Sequence, residues 1–319
     1  MIYLVTGAAG FIGSHVVDVL LRRGEQVVGL DNFTPYYDPA RKRRNISWAL
    51  GQPGYTLVEA DLRDDAALAA VFTTYQPQRV VHLAAMPGPR PSIADPALYE
   101  AVNVGGTVRM LELARRHTVE SFVLASTSSV YGKAEKLPFE EVDRTDRPLS
   151  PYAATKKAAE VLAYTFHSLY GMPVSVARFF TVYGPRGRPD MTPHLFVDKM
   201  VRGEPFVLFN GGADLFRDYT YVDDIVAGVV AASDRPQGYE IFNLGNAQPI
   251  EMQRFVALLE QITGYTAQVE TRPLPATEPP ITFASTEKAQ RLLGFTPATT
   301  VEVGLAKFWE WYRCEVLVR

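Results

Sequence analysis

Cysteine is almost absent from this chain of 319 residues, with Cys314 as its single representative. One cysteine excludes an internal disulfide, and its sparse use favours a reducing, cytoplasmic compartment. Long apolar runs are missing as well, since no window approaches the roughly 18 apolar residues of a membrane span. The chain passes from Met1 into a strand-like run without a basic leader. We therefore expect no membrane partner.

An excess of charge of one sign is also lacking. The sequence has 32 lysines and arginines against 35 aspartates and glutamates, which gives a formal net charge of -3. This balance excludes a bulk electrostatic attraction to nucleic acid or to an anionic membrane. We expect no nucleic-acid partner and predict no metal site.

Short, continuous apolar runs alternate with helical patterns through the first half of the chain. Such runs indicate strands buried on both faces of a sheet, and their alternation with helices favours parallel pairing. The sequence therefore predicts the α/β class, with a Rossmann-type doubly wound parallel sheet. The expected strands are 2–6, 26–30, 55–60, 79–83, 121–126 and 174–178, and the expected helices are 14–23, 64–74, 98–117 and 152–170.

The second half of the chain has a different pattern. Proline and glycine become denser after Thr181 and the alternation weakens, which predicts a smaller mixed α/β lobe. We place a larger domain at residues 1–180 and a smaller one at 181–319. Because a helix-like and a strand-like segment lie within 218–245, we expect that part to rejoin the larger domain.

A glycine-rich turn follows the first expected strand, at Gly7, Gly10 and Gly13. Glycines let a pyrophosphate approach the backbone closely, and the helix that follows offers N–H donors and a positive dipole end. This context favours a dinucleotide site over an ordinary turn. Asp31 closes the second strand, where a carboxylate accepts the ribose hydroxyls of NAD and repels the 2′-phosphate of NADP. We therefore predict NAD as the cofactor.

Further cofactor contacts are expected at the ends of the neighbouring strands. Each of these short segments is nonspecific alone, and a packing role is an equal alternative. The basic run 41–44 could serve NADP, but we interpret it as a solvent-exposed helix face. The additional predicted cofactor residues are Phe11, Ile12, Asn32, Asp61, Leu62, Leu83, Ala84 and Ala85.

Tyr152 and Lys156 follow Ser150 and Pro151, which are typical of a helix N-cap and first turn. Their spacing places both side chains on one helix face. A tyrosine with a pKa of about 10 is a poor base, but a nearby ammonium and the positive nicotinamide ring favour its phenolate. Tyr152 is therefore a candidate general base, although an ordinary helix with a surface lysine explains the spacing when taken alone. Thr127 lies in the hydroxyl-rich end of the fifth strand, where α/β sheets bind ligands.

Together these motifs resemble the extended short-chain dehydrogenase/reductase family over essentially the whole chain. The segments 103–107 and 217–224 share in this resemblance. It implies an NAD-dependent enzyme with a catalytic triad, and a homodimer formed by the two long helices 98–117 and 152–170. The implied triad is Thr127, Tyr152 and Lys156, and Asn103 joins the predicted cofactor residues.

The end of the fifth strand separates the members of this family. Sugar-nucleotide 4,6-dehydratases carry an Asp-Glu pair where Ser128 and Ser129 stand, and UDP-glucuronate decarboxylases carry a glutamate at the second position. The serines argue against both activities, and the sequence is consistent with a 4-epimerase, which needs only the base and the hydride shuttle. The resemblance implies that Tyr152 takes the proton of the sugar 4-hydroxyl while the C4 hydride goes to NAD. The 4-keto sugar then turns over and receives the hydride on its other face.

The stretch 178–191, together with 36–39, resembles UDP-glucuronate 4-epimerases. Arg188 is the first candidate for the sugar carboxylate, because a guanidinium can fork onto a carboxylate, and Arg90 is the second. A loop-surface arginine is the alternative for Arg188. We expect Arg188, Thr181 and the two serines to hold the carboxylate out of alignment for decarboxylation.

The nucleotide end of a UDP-sugar is assigned by family position. Arg217 is expected at the diphosphate, Phe206 and Phe209 at the uracil and Glu278 at the ribose, with core packing as the alternative for the phenylalanines. The larger domain is then NAD-binding and the smaller one binds the sugar nucleotide. Alternatives are a UDP-glucose/UDP-galactose 4-epimerase, a UDP-glucuronate decarboxylase, a dehydrogenase that releases its cofactor and a cofactor-sensing binding protein.

Overall fold

The computed structural model of the chain describes residues 1–133, 136–275 and 279–318. Their strands are, in chain order, β1 (Ile2–Thr6), β2 (Gln26–Asp31), β3 (Tyr55–Glu59), β4 (Arg79–His82), β5 (Ser121–Thr127), β6 (Val174–Phe179), β7 (Thr181–Tyr183), β8 (Phe206–Phe209), β9 (Phe216–Arg217), β10 (Tyr219–Tyr221), β11 (Tyr239–Leu244), β12 (Ile250–Glu251), β13 (Val269–Arg272) and β14 (Ile281–Thr282). Their α-helices are α1 (Phe11–Arg22), α2 (Pro39–Asn45), α3 (Ser47–Leu50), α4 (Asp65–Tyr75), α5 (Pro89–Ala94), α6 (Pro96–Tyr99), α7 (Gly106–Arg116), α8 (Pro151–Tyr170), α9 (His194–Arg202), α10 (Val222–Asp234), α11 (Met252–Thr263), α12 (Glu287–Leu293) and α13 (Val301–Tyr312).

The main sheet has the strand order β11-β6-β5-β4-β1-β2-β3, and every neighbouring pair is parallel. Without β11, this is the 3-2-1-4-5-6 order of a doubly wound dinucleotide-binding sheet. The order reverses between β1 and β4, and such sheets bind ligands at the carboxyl ends of strands beside that reversal. The predicted α/β class with a Rossmann-type parallel sheet is confirmed.

Both faces of this sheet are covered, which explains why its strands are continuous apolar runs. Alternate residues of β1 enter different cores: Tyr3 and Val5 pack on one face and Leu4 on the other. Helices α1 and α10 cover the first face, while α4, α7 and α8 cover the second. The backbone around the carboxyl ends of the strands is therefore held by packing on two sides.

The later part of the chain forms small sheets and one return to the main sheet. β13 pairs with β8, β9 lies between β12 and β14, and β10 pairs with β7. β11 pairs with β6, so residues 239–244 are part of the main sheet. The division into residues 1–180 and 181–319 stays a prediction.

The long helix expected at 98–117 is interrupted. It consists of α6, a π-helical turn at Glu100–Gly105, and α7. Such turns insert an extra residue into a helix and are frequent at functional sites. Asn103 lies in this turn. None of the helices in the described ranges is long and apolar enough to cross a membrane.

Candidate active site

A cleft of about 320 Å³ opens at the carboxyl ends of β1, β2, β4 and β5. It brings together residues that are far apart in sequence but were predicted to act together. Its lining includes Gly7, Gly10, Phe11, Ile12, Gly13, Asp31, Asn32, Asp61, Leu62, Leu83, Ala84, Ala85, Thr127, Tyr152, Lys156 and Arg188. The glycine turn, the tyrosine–lysine pair and the arginine are therefore parts of one site.

The glycine turn has no room for side chains at two of its positions. Gly7 has a φ of +69°, and a Cβ there would lie 2.9 Å from the backbone nitrogen of Ala84. A Cβ on Gly13 would lie 2.0 Å from the Gly7 carbonyl oxygen. The N-cap of α1 is Gly10, which brings no side-chain acceptor to the first N–H groups of the helix. These donors and the dipole of a 12-residue helix form a place for an anion.

Asp31 joins the glycine turn to the end of β2. Its carboxylate accepts the backbone N–H of Ala9 at 3.1 Å and that of Phe33 at 2.8 Å. Asn45 on α2 donates to the Ala9 carbonyl at 3.1 Å and fixes the turn from the other side. The side chain of Asp31 is thus held at the cleft with each oxygen keeping one accepting site for a ligand.

The position of Lys42 contradicts the interpretation of the basic run 41–44 as a solvent-exposed helix face. The residue is only 6% exposed and lines the cleft, with its Nζ 3.9 Å from Asp31 Oδ1 and 5.3 Å from the Tyr37 ring centroid. Burial lowers the pKa of Lys42, and Asp31 opposes this shift. Arg43 and Arg44 are exposed, so the prediction is wrong for Lys42 and holds for these two. The signal that was missed is the run of Lys42, Asn45 and Ile46 along one helix side.

Asp61, which was expected near the adenine of the cofactor, belongs to a small network of polar side chains. Asp61 pairs bidentately with Arg63 at 2.8 and 2.9 Å and accepts the Asn32 amide at 2.8 Å. The hydrogen bonds from Arg63, the largest influence, hold the pKa of Asp61 well below its usual range. Leu62 is buried beside it and packs against Gly106, where a Cβ would collide with it.

Asn103 lies behind the cleft wall. Its amide donates to the Met86 carbonyl at 3.0 Å and to Thr155 Oγ1 at 3.1 Å, while its oxygen accepts the Met86 N–H at 2.7 Å. Met86 itself lines the cleft. These hydrogen bonds join the segment after β4 to α8, and a direct contact between Asn103 and the cofactor stays a prediction.

Helix α8 starts as the sequence predicts. Ser150 Oγ accepts the Ala153 N–H at 3.2 Å as N-cap, and Pro151 occupies the first turn. Tyr152 and Lys156 follow on one face and both line the cleft. The Tyr152 N–H donates to Ser92 Oγ at 3.0 Å, so this helix end is also tied to α5.

The electrostatics of the pair differ from the simple expectation that the lysine favours the phenolate. Burial raises the pKa of Tyr152, while a side-chain hydrogen bond with Thr127 and the charge of Arg188 oppose that rise. Burial also lowers the pKa of Lys156 to about 8, with Glu160 opposing. The protein alone therefore keeps Tyr152 protonated at neutral pH, and a further positive charge in the cleft is needed to favour the phenolate.

A buried ion pair anchors α8 to the sheet. Arg178 on β6 donates to both oxygens of Glu160, from Nε at 2.9 Å and from Nη2 at 2.8 Å. Ser126 Oγ donates to the same carboxylate at 2.6 Å. Glu160 lies one turn after Lys156, so these contacts set where the helix stands relative to the ends of β5 and β6.

The serines expected at the sugar carboxylate lie next to the cleft but are not among its lining residues. Thr127 caps the 3-10 turn Ser128–Tyr131, accepting the Ser129 N–H at 3.2 Å, and its hydroxyl donates to Ser129 Oγ at 3.2 Å. Ser128, Ser129 and Thr181 are half-buried. Contact between these three residues and a sugar stays a prediction.

The arginine assigned to the carboxylate is inside the cleft, which argues against the loop-surface alternative. Arg188 is 17% exposed and pairs with Asp190 from Nε at 3.0 Å and from Nη2 at 2.6 Å. Its guanidinium lies 5.3 Å from the ring centroid of Tyr36. Arg90, the second candidate, is exposed and lies over the Phe209 ring at 5.8 Å, outside the cleft lining.

The residues expected at the nucleotide end are dispersed. Phe206 is 3% exposed and stacks on Phe196 with ring centroids 4.1 Å apart, which is the core-packing alternative. Phe209 lies on the opposite face of β8, because side chains three positions apart in a strand point to opposite sides. A place near the uracil stays a prediction for both phenylalanines. Arg217 Nη1 donates to the carbonyls of Phe216 and Pro280. Glu278 lies outside the described residues.

The sheet order, the glycine turn and the tyrosine–lysine pair define a class of dinucleotide-dependent enzymes, and comparison with known proteins places the chain in it. Residues 3–245 match the model of the NAD dependent epimerase/dehydratase family, and the chain belongs to this family. A probable UDP-glucuronate 4-epimerase of Rhizobium meliloti (strain 1021) is 41% identical over 331 residues, covering 98% of this chain and 97% of that protein.

Two solved structures resemble the fold over nearly their whole length. One is UDP-glucuronic acid 4-epimerase from Bacillus cereus in complex with UDP-glucuronic acid and NAD, at a TM-score of 0.92 and 33% identity, covering 98% of this chain and 99% of that one. The other is UDP-glucose 4-epimerase from Thermotoga maritima with UDP-glucose, at a TM-score of 0.90 and 31% identity, with the same coverages. The names of the two relatives differ in the sugar, which is glucuronic acid in the first and glucose in the second.

Proposed function

We propose that this protein interconverts UDP-glucuronate and UDP-galacturonate by epimerisation at C4, with NAD bound in the cleft. The observation that carries the proposal is Arg188, an arginine that lines the cleft together with Tyr152 and whose charge opposes the rise in the Tyr152 pKa. A guanidinium in such a place forks onto a carboxylate and has no comparable partner on a neutral hydroxymethyl group. This supports a uronic acid over the neutral sugar of a UDP-glucose epimerase.

The cleft fits a dinucleotide on observations independent of any relative. Gly7 and Gly13 have no room for a Cβ, so the turn packs closely beside the open N-terminus of α1, where a pyrophosphate is bound in such folds. Asp31 keeps accepting sites for ribose hydroxyls and disfavours a 2′-phosphate. Lys42 lies beside Asp31 and partly offsets its charge, which reduces but does not remove this preference. When bound, NAD supplies a reversible acceptor for the C4 hydride.

The chain's own residues supply proton transfer and orientation. Tyr152 takes the proton of the sugar 4-hydroxyl as hydride leaves C4, and returns it when the alcohol is reformed. The Thr127 hydroxyl and the charge of Arg188 oppose the rise in the pKa of this tyrosine, and Lys156 lines the same cleft. Arg188 binds the C6 carboxylate and keeps the 4-keto sugar oriented at both stages.

The experiment that tests the proposal gives the purified protein UDP-glucuronate, UDP-glucose and UDP-xylose separately, without added NAD, and identifies the products. UDP-galacturonate from the first supports the proposal. Product from UDP-glucose alone contradicts it in favour of the neutral-sugar epimerase, and UDP-xylose from UDP-glucuronate contradicts it in favour of decarboxylation. The Arg188→Ala variant is expected to lose at least about tenfold in kcat/KM for UDP-glucuronate, as for one lost charge-assisted hydrogen bond.

A homodimer is part of the proposal. Helix α8 exposes Val161, Tyr164 and Leu169, and α7 lies beside it. Exposed apolar side chains grouped on a long helix favour a protein partner, and an isologous pair of such helices is the commonest solution. Sedimentation at micromolar concentration is expected to give twice the chain mass, and a monomer there contradicts the dimer. The cytoplasmic compartment stays a prediction.

A further inference from the structure

Only part of the Arg188 guanidinium is available to a substrate carboxylate, because one of its edges is already hydrogen-bonded to Asp190. Its Nε donates to Asp190 Oδ1 at 3.0 Å and its Nη2 donates to Asp190 Oδ2 at 2.6 Å. Arg188 and Asp190 are two residues apart on one loop, and the Asp190 side chain is 44% exposed. Their pairing is a side-on, bidentate fork.

A side-on fork leaves a second edge. Guanidinium has five N–H groups, of which this pairing uses one on Nε and one on Nη2. The remaining end-on edge, formed by Nη1 and Nη2, has two parallel donors, the number that one further carboxylate takes bidentately. No other acceptor among the described residues contacts Arg188, and the residue lines the cleft.

Tyr36 completes the arrangement, which we call the Arg188 clamp (Tyr36, Arg188 and Asp190). Its ring centroid lies 5.3 Å from the guanidinium carbon, and its hydroxyl donates to Asp190 Oδ2 at 3.3 Å. The ring restricts the guanidinium plane, and the hydroxyl restricts the carboxylate that grips it. Burial opposes the charged form of both partners, yet their mutual hydrogen bonds raise the pKa of Arg188 and lower that of Asp190.

We propose that Asp190 is a positioning residue that fixes the orientation of Arg188 and so determines how the enzyme holds the substrate carboxylate. This rests on the proposed function. Asp190 adds a negative charge close to the substrate carboxylate, so it lowers the electrostatic attraction between the site and that carboxylate. At the same time it restricts the direction in which Arg188 can bind the carboxylate. Asp190 therefore helps to orient the substrate during the reaction, but it weakens the binding of the substrate in the ground state.

Orientation matters because the 4-keto intermediate is a β-keto acid. If the C5–C6 bond aligns with the carbonyl π system, its electron pair forms a C4=C5 double bond, the carbonyl π pair moves to O4 and CO₂ leaves. The resulting enolate takes a proton at C5, and the 4-keto-pentose would become a UDP-pentose when the hydride removed in the oxidation step returns to C4. A guanidinium held on two sides keeps the carboxylate away from that alignment. A guanidinium that rotates freely does not, and the enzyme then yields a UDP-pentose as a second product.

Asp190→Asn tests the proposal, since it keeps the size of the side chain and removes the charge that clamps Arg188. We expect kcat for UDP-glucuronate to fall by about tenfold or more, as for misplacement of a bound group. We also expect KM to stay level or fall, and UDP-pentose with CO₂ to appear among the products. Asp190→Glu should recover part of kcat, and Tyr36→Phe should move kcat in the same direction by less.

A second measurement separates binding from turnover. In a Tyr152→Phe background, calorimetry gives the Kd of UDP-glucuronate with and without Asp190→Asn, and we expect equal or tighter binding without the aspartate. Binding of UDP-glucose should not change. Glu302→Gln is the matched control, because it removes a carboxylate from an exposed arginine pair far along the chain, at Arg254. It should match the wild type in kcat and products.

Two results overturn the proposal. One is an Asp190→Asn enzyme with wild-type kcat and no pentose. The other is a variant whose loss is entirely a rise in KM, which is the signature of lost ground-state binding. Failure of the proposed function itself is distinguished by the wild type, which would then form no UDP-galacturonate at all.

Discussion

Tyr152 is a tyrosine that the protein alone does not activate, since burial raises its pKa and the hydrogen bond with Thr127 only opposes that rise. Lys156, with its pKa lowered to about 8, keeps most of its charge at neutral pH and adds one of the positive charges in the site. The hydroxyl of Tyr152 is the group that we propose to exchange a proton with the sugar.

Tyr152→Phe removes that hydroxyl and little else. We expect kcat to fall by about 10²- to 10⁴-fold, the usual contribution of a positioned acid–base group. The thermal unfolding midpoint should stay close to that of the wild type, because the ring and its T-shaped contact with Tyr99 remain. Steady-state kinetics and thermal unfolding check both parts, and a variant with more than a tenth of the wild-type kcat contradicts the role of Tyr152.

The glycine turn can keep its backbone path only because its glycines carry no side chains. Gly13→Ala places a Cβ 2.0 Å from the Gly7 carbonyl oxygen, so the turn must open. We expect the variant to purify without bound NAD and to be less stable by about 1–3 kcal/mol, as for overpacking elsewhere. Absorbance of the released cofactor and urea unfolding measure the two effects.

Gly24→Ala is the control for this substitution. Gly24 has a positive φ of +79°, unlike Gly13, and a Cβ there meets no atom within 4 Å. The control variant has backbone strain alone, of about 1–2 kcal/mol, and should keep its cofactor. If both variants retain NAD equally, the close contact in the turn has no part in cofactor binding.

The position of α8 depends on the pair between Arg178 and Glu160. Arg178→Met leaves the buried carboxylate without its guanidinium, which costs about 3–5 kcal/mol in comparable buried pairs. We expect a value near the lower end, because Lys157 Nζ stays 3.2 Å from Glu160. The double variant with Glu160→Leu should regain much of that stability. Chemical unfolding checks this, and a single variant that loses under about 1 kcal/mol contradicts it.

Three buried histidines make the stability of the folded molecule depend on pH. Burial, the largest cause in each case, lowers the pKa of His15 and of His82 to about 3 and that of His194 to about 4. The unfolded chain, with histidine pKa values near 6.5, binds more protons than the native one between about pH 4 and 6.5. Stability is therefore present above pH 6.5 and is lost as the pH falls through this window.

Urea unfolding at pH 7.5, 6.5 and 5.5 checks this prediction. The free energy of unfolding should fall across the series, with a slope approaching about 1.4 kcal/mol per pH unit for each proton taken up. His82→Gln should reduce the slope by roughly one proton, because His82 has buried contacts with Thr6 and Thr107 and cannot charge in place. A stability that is constant from pH 7.5 to 5.5 contradicts the account.

The sequence predicted the features that follow a period or a fixed spacing. Continuous apolar runs predicted the parallel sheet, and the N-cap Ser150 predicted the start of α8 and the shared face of Tyr152 and Lys156. The period of two along a strand was available as well, and it places Phe206 and Phe209 on opposite faces of β8.

Contacts made by loops were beyond prediction from sequence. Arg188 and Asp190 pair within a loop whose sequence has no periodicity. Tyr36, which contacts them, lies 154 residues before Asp190 in the chain. Lys42 was misjudged because four consecutive basic residues are usually solvated, whereas the position of α2 against the glycine turn buries one of them.

The central claim is that one hydride leaves C4 and returns to the same carbon on its other face. UDP-glucuronate deuterated at C4 tests this most directly, with mass spectrometry and NMR of the UDP-galacturonate formed. The account predicts full retention of deuterium at C4, and no uptake of deuterium there when the unlabelled substrate reacts in D₂O. Loss of the label to solvent, or an unchanged sugar after prolonged incubation, would contradict it.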